Sequence, residues 1–85
     1  MNFGQAQEVL ESGGRVARAG WNGKNMWLTK IASWSAGTQC GPMPSDWEGY
    51  VPFYAMYTAD KKLVPWLASQ TDLRATDWET VEVPL

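Results

Sequence analysis

Over the first twelve residues Phe3, Ala6, Val9 and Leu10 recur at steps of three and four, which places them on one face of a helix. Asn2 with Gln5 three positions on forms a capping-box signature at its start, and Gly13-Gly14 stops it at about Ser12, because glycine tolerates the left-handed conformation that helix ends favour. Beyond this point the period shortens to two. Residues 15–18 form a short extended piece, and 26–31 read as a strand with Met26 and Leu28 on one face and Trp27, Thr29 and Ile31 on the other. The Asn22-Gly23 pair between them is a hairpin cue. Both faces of 26–31 carry apolar groups, so the sheet is expected to be covered on one side and shared on the other. Residues 51–57 make a further strand with Phe53, Ala55 and Tyr57 on one face, Thr58-Ala59-Asp60-Lys61-Lys62 the turn, and Leu63-Val64 the start of the return. A helical turn is predicted around 69–73, and residues 78–83 close the sheet with Val81 and Val83 facing in. The predicted class is α+β, a small antiparallel sheet with an N-terminal helix and one further short helical turn, in a single domain spanning 1–85.

Residues 32–50 show no period. They are rich in Ser, Gly, Pro and Thr and include Trp34, Cys40 and Trp47. A loop this long in so small a domain is commonly functional, and the two tryptophans are expected to form a lid or an interface. Cys40 has no histidine to activate it and reads as a structural or incidental thiol.

With 85 residues, the chain buries only about 60 to 65% of its unfolded surface. Six Trp, three Tyr and two Phe enlarge that thin core, yet so many rings cannot all be interior. Some are expected in a cleft or a subunit contact, where Trp and Tyr are enriched, and an oligomer is the expectation. One cysteine and no histidine exclude an internal disulfide, a Ser-His-Asp triad and a Cys-His pair within one chain. No metal site, cofactor or catalytic residue is predicted. The net charge of −2 argues against binding long nucleic acid, which needs many Lys and Arg. No apolar run reaches the length of a membrane span, and residues 1–4 lack the start of a signal peptide. A cytoplasmic protein with no membrane partner is expected. Between Glu11 and Asp46 there is no acid, whereas Arg15, Arg18, Lys24 and Lys30 all fall there, so this half can offer a local anion site or simply a solvated basic face.

Two stretches carry candidate chemistry. Trp21 lies between Gly20 and Asn22-Gly23 on a predicted loop tip, where a large ring needs a stacking partner: a flat ligand such as a purine, or a neighbouring subunit. Lys24 beside it suits a phosphate. The second stretch, 64–78, sets Ser69, Gln70, Thr71 and Asp72 between Trp66 and Trp78. Small hydroxyls, amides and carboxylates bond nearby backbone and fix a loop, so the segment is either a rigid polar loop between aromatic walls or a helix cap between two core tryptophans.

Met1-Asn2-Phe3-Gly4 before a short helix, Val16-Ala17-Arg18 leading into Gly20-Trp21-Asn22-Gly23-Lys24, and the run from Val64-Pro65-Trp66-Leu67-Ala68-Ser69-Gln70-Thr71-Asp72-Leu73 to Asp77-Trp78 together resemble the Thoeris anti-defence 2 family. The resemblance covers nearly the whole chain apart from residues 32–50. It implies a phage or prophage protein, acting in the cytoplasm of the infected bacterium, that binds and sequesters a cyclic nucleotide immune signal without turning it over. The implied ligand is a glyco-cyclic ADP-ribose isomer made by TIR-domain proteins of Thoeris, joined in some relatives by cyclic di- or trinucleotides of CBASS at a separate site. The implied assembly is a homotetramer with ligand between protomers. By motif position Trp21 faces the ligand with Asn22 and Gly23 beside it, Ser69, Thr71 and Asp72 meet the nucleotide, and Trp66, Arg18 and Lys24 are further assignments. The second hairpin departs from the pattern, with Asp60-Lys61-Lys62 where relatives carry Asp-Gly.

The residues themselves supply matching chemistry. Arg18, Lys24, the backbone amides of Gly20 and Gly23 and the hydroxyls of Ser69 and Thr71 are donors for phosphate, Trp21 is a wall for adenine, and Asp72 either accepts from ribose hydroxyls or an exocyclic amine or caps a helix. Two alternatives stand beside sequestration. One is a hydrolase of such signals using Asp46, Asp72 or Asp77 as acid or base; the other is a tryptophan-rich structural or glycan-binding module.

Overall fold

The computed structural model describes residues 1–21, 25–32, 44–46, 48 and 51–82. Asn22, Gly23, Lys24, Trp34, Cys40, Trp47 and Val83 lie outside them. The elements run α1 (Phe3–Glu11), β1 (Arg15–Arg18), β2 (Trp27–Ile31), β3 (Phe53–Tyr57), β4 (Leu63–Pro65), α2 (Gln70–Arg74) and β5 (Trp78–Val81), the α+β arrangement that the periodicities predict.

Helix α1 begins on a reciprocal cap: the Gln5 amide donates to Asn2 Oδ1 at 2.8 Å and the Asn2 amide to Gln5 Oε1 at 3.0 Å, which satisfies two donors the helix leaves open. It ends at Gly13, whose φ of +94° is open to glycine at little cost. Strands β1 and β2 pair antiparallel through Val16 and Leu28, β2 pairs β3 along its whole length from Trp27 opposite Tyr57 to Ile31 opposite Phe53, and β3 pairs β4. The β3–β4 turn closes through the Lys61 amide donating to Thr58 O at 2.9 Å, with Lys61 itself at φ +67°. That is the left-handed position of a three-residue hairpin loop, ordinarily filled by glycine.

The sheet order is β4-β3-β2-β1-β5. After β4 the chain therefore crosses from one edge of the sheet to the other, by way of Trp66 and α2, before β5 pairs with β1. The crossing lies on the same face as α1. There Ala6 and Leu10 of the helix meet Val16, Leu28 and Trp78 of the sheet, all buried, with Phe3, Trp21, Trp66, Met56 and Ala75 packed round them. The expectation that Val81 faces inward is corrected: Trp78 pairs with Arg18 and Thr80 with Val16, so the two-residue alternation puts Val81, opposite Arg15, on the other face. The larger apolar residue of β5 claims the core.

Neither helix covers that second face. On it Trp27 and Tyr57 stack at 4.7 Å and 11°, and the Arg15 guanidinium sits 5.1 Å from the Trp27 ring centre. Ala55, only 1% exposed, lies between larger neighbours. Among the described residues no helix is long and apolar enough to cross a membrane.

Candidate functional site

Arg18 ends β1, Asp77 precedes β5 and Asp72 stands at the third position of α2, so the pairing of β1 with β5 and the chain crossing bring together three charges from distant parts of the sequence. Arg18 Nε donates to Asp77 Oδ1 and Nη1 to Asp72 Oδ1, both at 2.9 Å. Asp77 Oδ2 in turn accepts the Gly20 amide at 2.9 Å. Asp72 Oδ2 accepts the Ser69 amide at 3.0 Å while Ser69 Oγ accepts the Asp72 amide at 3.0 Å, a second reciprocal helix cap.

One guanidinium between two carboxylates leaves the node with one net negative charge. Its electrostatics follow from the hydrogen bonds. At Asp72 partial burial is the largest single effect and pushes the carboxyl upward, but the hydrogen bonds from Ser69, Arg18 and the Trp21 side chain together outweigh it and hold the group below the usual carboxylate range. Asp77 is held low chiefly by the Arg18 hydrogen bond, with burial opposing and the Gly20 amide assisting. Arg18 is raised, by Asp77 first and Asp72 second. All three are charged at neutral pH.

Trp78 holds this node against the core. Its indole Nε1 donates to the Asp72 carbonyl at 3.1 Å, and three rings surround it: Phe3 at 5.4 Å, Trp21 at 5.5 Å and Trp66 at 6.1 Å, the last two nearly perpendicular to it. At 2% exposure Trp78 is core. The pairing of Trp66 and Trp78 as two open walls is thus corrected on the Trp78 side, and the helix-cap reading of Ser69 and Asp72 is the one observed. Trp66 is half-buried and also meets Phe3 at 5.9 Å.

Trp21 is the candidate ring whose position fits a ligand wall. It is half-buried, and a perpendicular contact with Trp78 leaves at least one of its two faces untouched by that neighbour. It borders an open groove of about 410 Å³ lined by Ala17, Arg18, Ala19, Trp21, Asn25, Met26, Glu79 and Val81, within the size range of small-molecule sites. The structure brings Arg18, Trp21, Ser69 and Asp72 into one neighbourhood. Thr71 is exposed on α2, and Trp66 meets Trp78 edge-on and does not line the groove beside Trp21. The Gly20 amide, expected as a phosphate donor, is occupied by Asp77, and Arg18 spends two of its donors on carboxylates.

Sequence reasoning names Asp77 only as a possible acid or base and Trp78 only as a wall or a core ring, and misses that both stand beside Arg18. No spacing signal marks that link, because Arg18 is 59 and 60 positions away and is reached only through the β1–β5 pairing.

The sequence is similar to known proteins over most of its length. The Thoeris anti-defense 2-like domain matches residues 1–81. The curated protein Thoeris anti-defense 2 of Bacillus phage SP01 is 40% identical over 84 residues, covering 95% of this chain and 94% of the relative. The chain is a member of the Thoeris anti-defense 2-like family.

Proposed function

We propose that this phage-type anti-defence protein acts on Thoeris immunity as a sponge: it binds a glyco-cyclic ADP-ribose isomer at the Trp21 groove and withholds it from its receptor without cleaving it. The observation that carries the reading is Trp21, a half-buried indole at the rim of a 410 Å³ groove, held by Trp78 yet keeping ring surface for an adenine, a contact worth about 1 to 3 kcal/mol. Asn22, Gly23 and Lys24 follow it directly in sequence and are assigned to the ribose and phosphates. Thr71 and the Ser69 hydroxyl are assigned as neutral donors on the neighbouring segment, Trp66 as a supporting wall, Arg18 as part of the groove's lining, and Asp72 as the group that holds Arg18 there.

The non-catalytic part of the proposal rests on the state of the carboxylates. Asp72 and Asp77 are both held ionised by Arg18, so neither keeps a proton at neutral pH to give to a leaving glycosidic oxygen, as general acid catalysis requires.

The groove is open, and we assign its closure to a second copy in a homotetramer. The Arg15–Trp27–Tyr57 tier on the helix-free face and Leu67, 92% exposed, are surfaces that suit subunit contacts. Cyclic di- or trinucleotides of CBASS are assigned as a second ligand class at a separate place.

The test is retention of intact ligand. After incubation with glyco-cyclic ADP-ribose, removal of free ligand and heat denaturation, chromatography of the supernatant is expected to return the unaltered molecule, and Trp21→Ala to return none. A linear product accumulating with time would identify a hydrolase instead. Binding indifferent to salt and to Lys24→Glu, with a sugar as the preferred ligand, would identify a glycan module.

A further inference from the structure

The segment that delivers Trp21 is a tight turn, with the Trp21 amide donating to the Arg18 carbonyl at 3.2 Å. Every residue of that turn before the indole is gripped by Asp77. Its backbone carbonyl accepts the Ala19 amide at 3.0 Å, its Oδ2 accepts the Gly20 amide at 2.9 Å, and its Oδ1 accepts Arg18 Nε at 2.9 Å. The fit is close enough that a Cβ on Gly20 would stand 3.0 Å from Asp77 Oδ2 and 3.9 Å from Arg18 Nη2. Asp77 is itself anchored, because the next residue, Trp78, is the buried hub of the core.

We infer that Asp77 is a positioning residue for the ligand site: its carboxylate moulds the turn of residues 18–21 and so sets the angle at which the Trp21 ring is presented to a bound nucleotide. The inference rests on the reading of Trp21 as the ligand wall. It adds a division of labour within the Arg18 node. Asp72 uses its carboxylate to cap α2 and fasten that helix to β1, whereas Asp77 uses both its oxygens on the turn. A carboxylate is needed for this, since it offers two acceptors to two donors on different groups, and the amide of asparagine offers one oxygen and turns an N–H₂ toward the other donor. A turn freed from the Asp77 carboxylate leaves the indole held only from its own side, by the edge contact with Trp78 and the hydrogen bond to Asp72, with its backbone freer to adopt other angles, so the stack with a flat ligand is made less often.

The experiment compares Asp77→Asn with Thr58→Ala, which removes the hydroxyl that bonds Lys62 in the β3–β4 turn at the opposite edge of the sheet and lowers stability without touching Trp21. Two readouts are taken on each: the exciton couplet between Trp21 and Trp78 in circular dichroism, isolated by subtracting the spectrum of the same protein carrying Trp21→Phe, and the dissociation rate of glyco-cyclic ADP-ribose. Asp77→Asn is expected to lose the couplet and release the ligand about tenfold faster, the order of part of one base stack, while Thr58→Ala keeps both near the parent values. Gly20→Ala, which presses a methyl on Asp77 Oδ2 with all charges intact, is expected to reproduce the Asp77→Asn result and decides the matter if that variant does not fold. Retention of the couplet in both Asp77→Asn and Gly20→Ala, an unchanged release rate despite its loss, or equal losses in Thr58→Ala would overturn the assignment. If the parent protein binds no nucleotide, the sponge reading fails, and the couplet alone still decides whether Asp77 orients Trp21.

Discussion

Replacing Trp78 by phenylalanine tests whether one indole joins the core to the charged node. The side chain is 2% exposed and sits among Phe3, Trp21 and Trp66. Phenylalanine removes roughly 40 to 50 Å² of buried ring, about 1 kcal/mol of transfer free energy. The gap it leaves adds about 1 kcal/mol, because closely packed neighbours collapse only in part. The bond from Nε1 to the Asp72 carbonyl is lost too, but that carbonyl still accepts the Ala75 amide at 3.3 Å, so this loss stays near the low end of the usual range, roughly 0.5 kcal/mol. The total is about 2 to 3 kcal/mol, against an expected stability of roughly 4 to 13 kcal/mol for a chain of this size, so the variant folds. For a domain of fewer than a hundred residues the corresponding fall in Tm is about 10 to 20 °C. Calorimetry or circular dichroism on Trp78→Phe, with Trp21→Phe and Trp66→Phe beside it, provides the measurement. A Tm within about 3 °C of the parent, or an equal fall in Trp21→Phe, would refute the idea that Trp78 is the hub.

Two further outcomes are expected. Because Asp72 and Asp77 are held below the ordinary carboxylate range in the folded protein, the unfolded chain binds more protons near pH 4. The stabilisation from the Arg18 node is therefore complete above the unfolded carboxylate pKa of about 4 and is lost as pH falls through that value toward the depressed ones. Tm against pH between 5 and 3 should drop more steeply for the parent than for the double variant Asp72→Asn/Asp77→Asn, and parallel curves would show that the node is not the acid-sensitive element. Lys61→Gly relieves a left-handed side-chain residue and should stabilise by about 0.5 to 1 kcal/mol after glycine's own entropy cost; an unchanged or lower urea midpoint would count against that reading of the turn.

The elements of this fold that follow from neighbours in sequence are those that could be read from it. The Asn2–Gln5 box, the stop at Gly13, the β3–β4 turn and the Ser69–Asp72 cap each involve residues at most four apart, and each forms as its local chemistry dictates. Even the departure at Lys61 has its counterpart in a positive φ. What was not legible depends on register. The inward orientation of Trp78 rather than Val81 is decided by which residue of β5 stands opposite Val16, and alternation alone leaves two choices. The Arg18 node has the same origin. Arg18 reads as a basic residue free to meet phosphate until β5 is laid beside β1 and α2 is carried across the sheet, and only then do two carboxylates arrive on it.

That outcome changes how the proposed anionic ligand would be held. With Arg18 neutralised, Lys30 paired with Glu11 and Lys62 with Asp60, an acidic chain of net charge −2 offers the proposed ligand little long-range attraction beyond the local charge assigned to Lys24. Capture is then not strongly steered. A sponge nevertheless works by retention, since a signal withheld from its receptor depends on how seldom it is released, and release is governed by short-range contacts. Stacking on an indole and hydrogen bonds from uncharged donors are contacts of that kind, and they act only at the right angle and distance. On the proposed reading, a rigid aromatic core topped by a charge-neutralising node serves retention: the carboxylates spend the charge of Arg18 on fixing geometry, and that geometry is what would make the ring of Trp21 a wall rather than a swinging side chain.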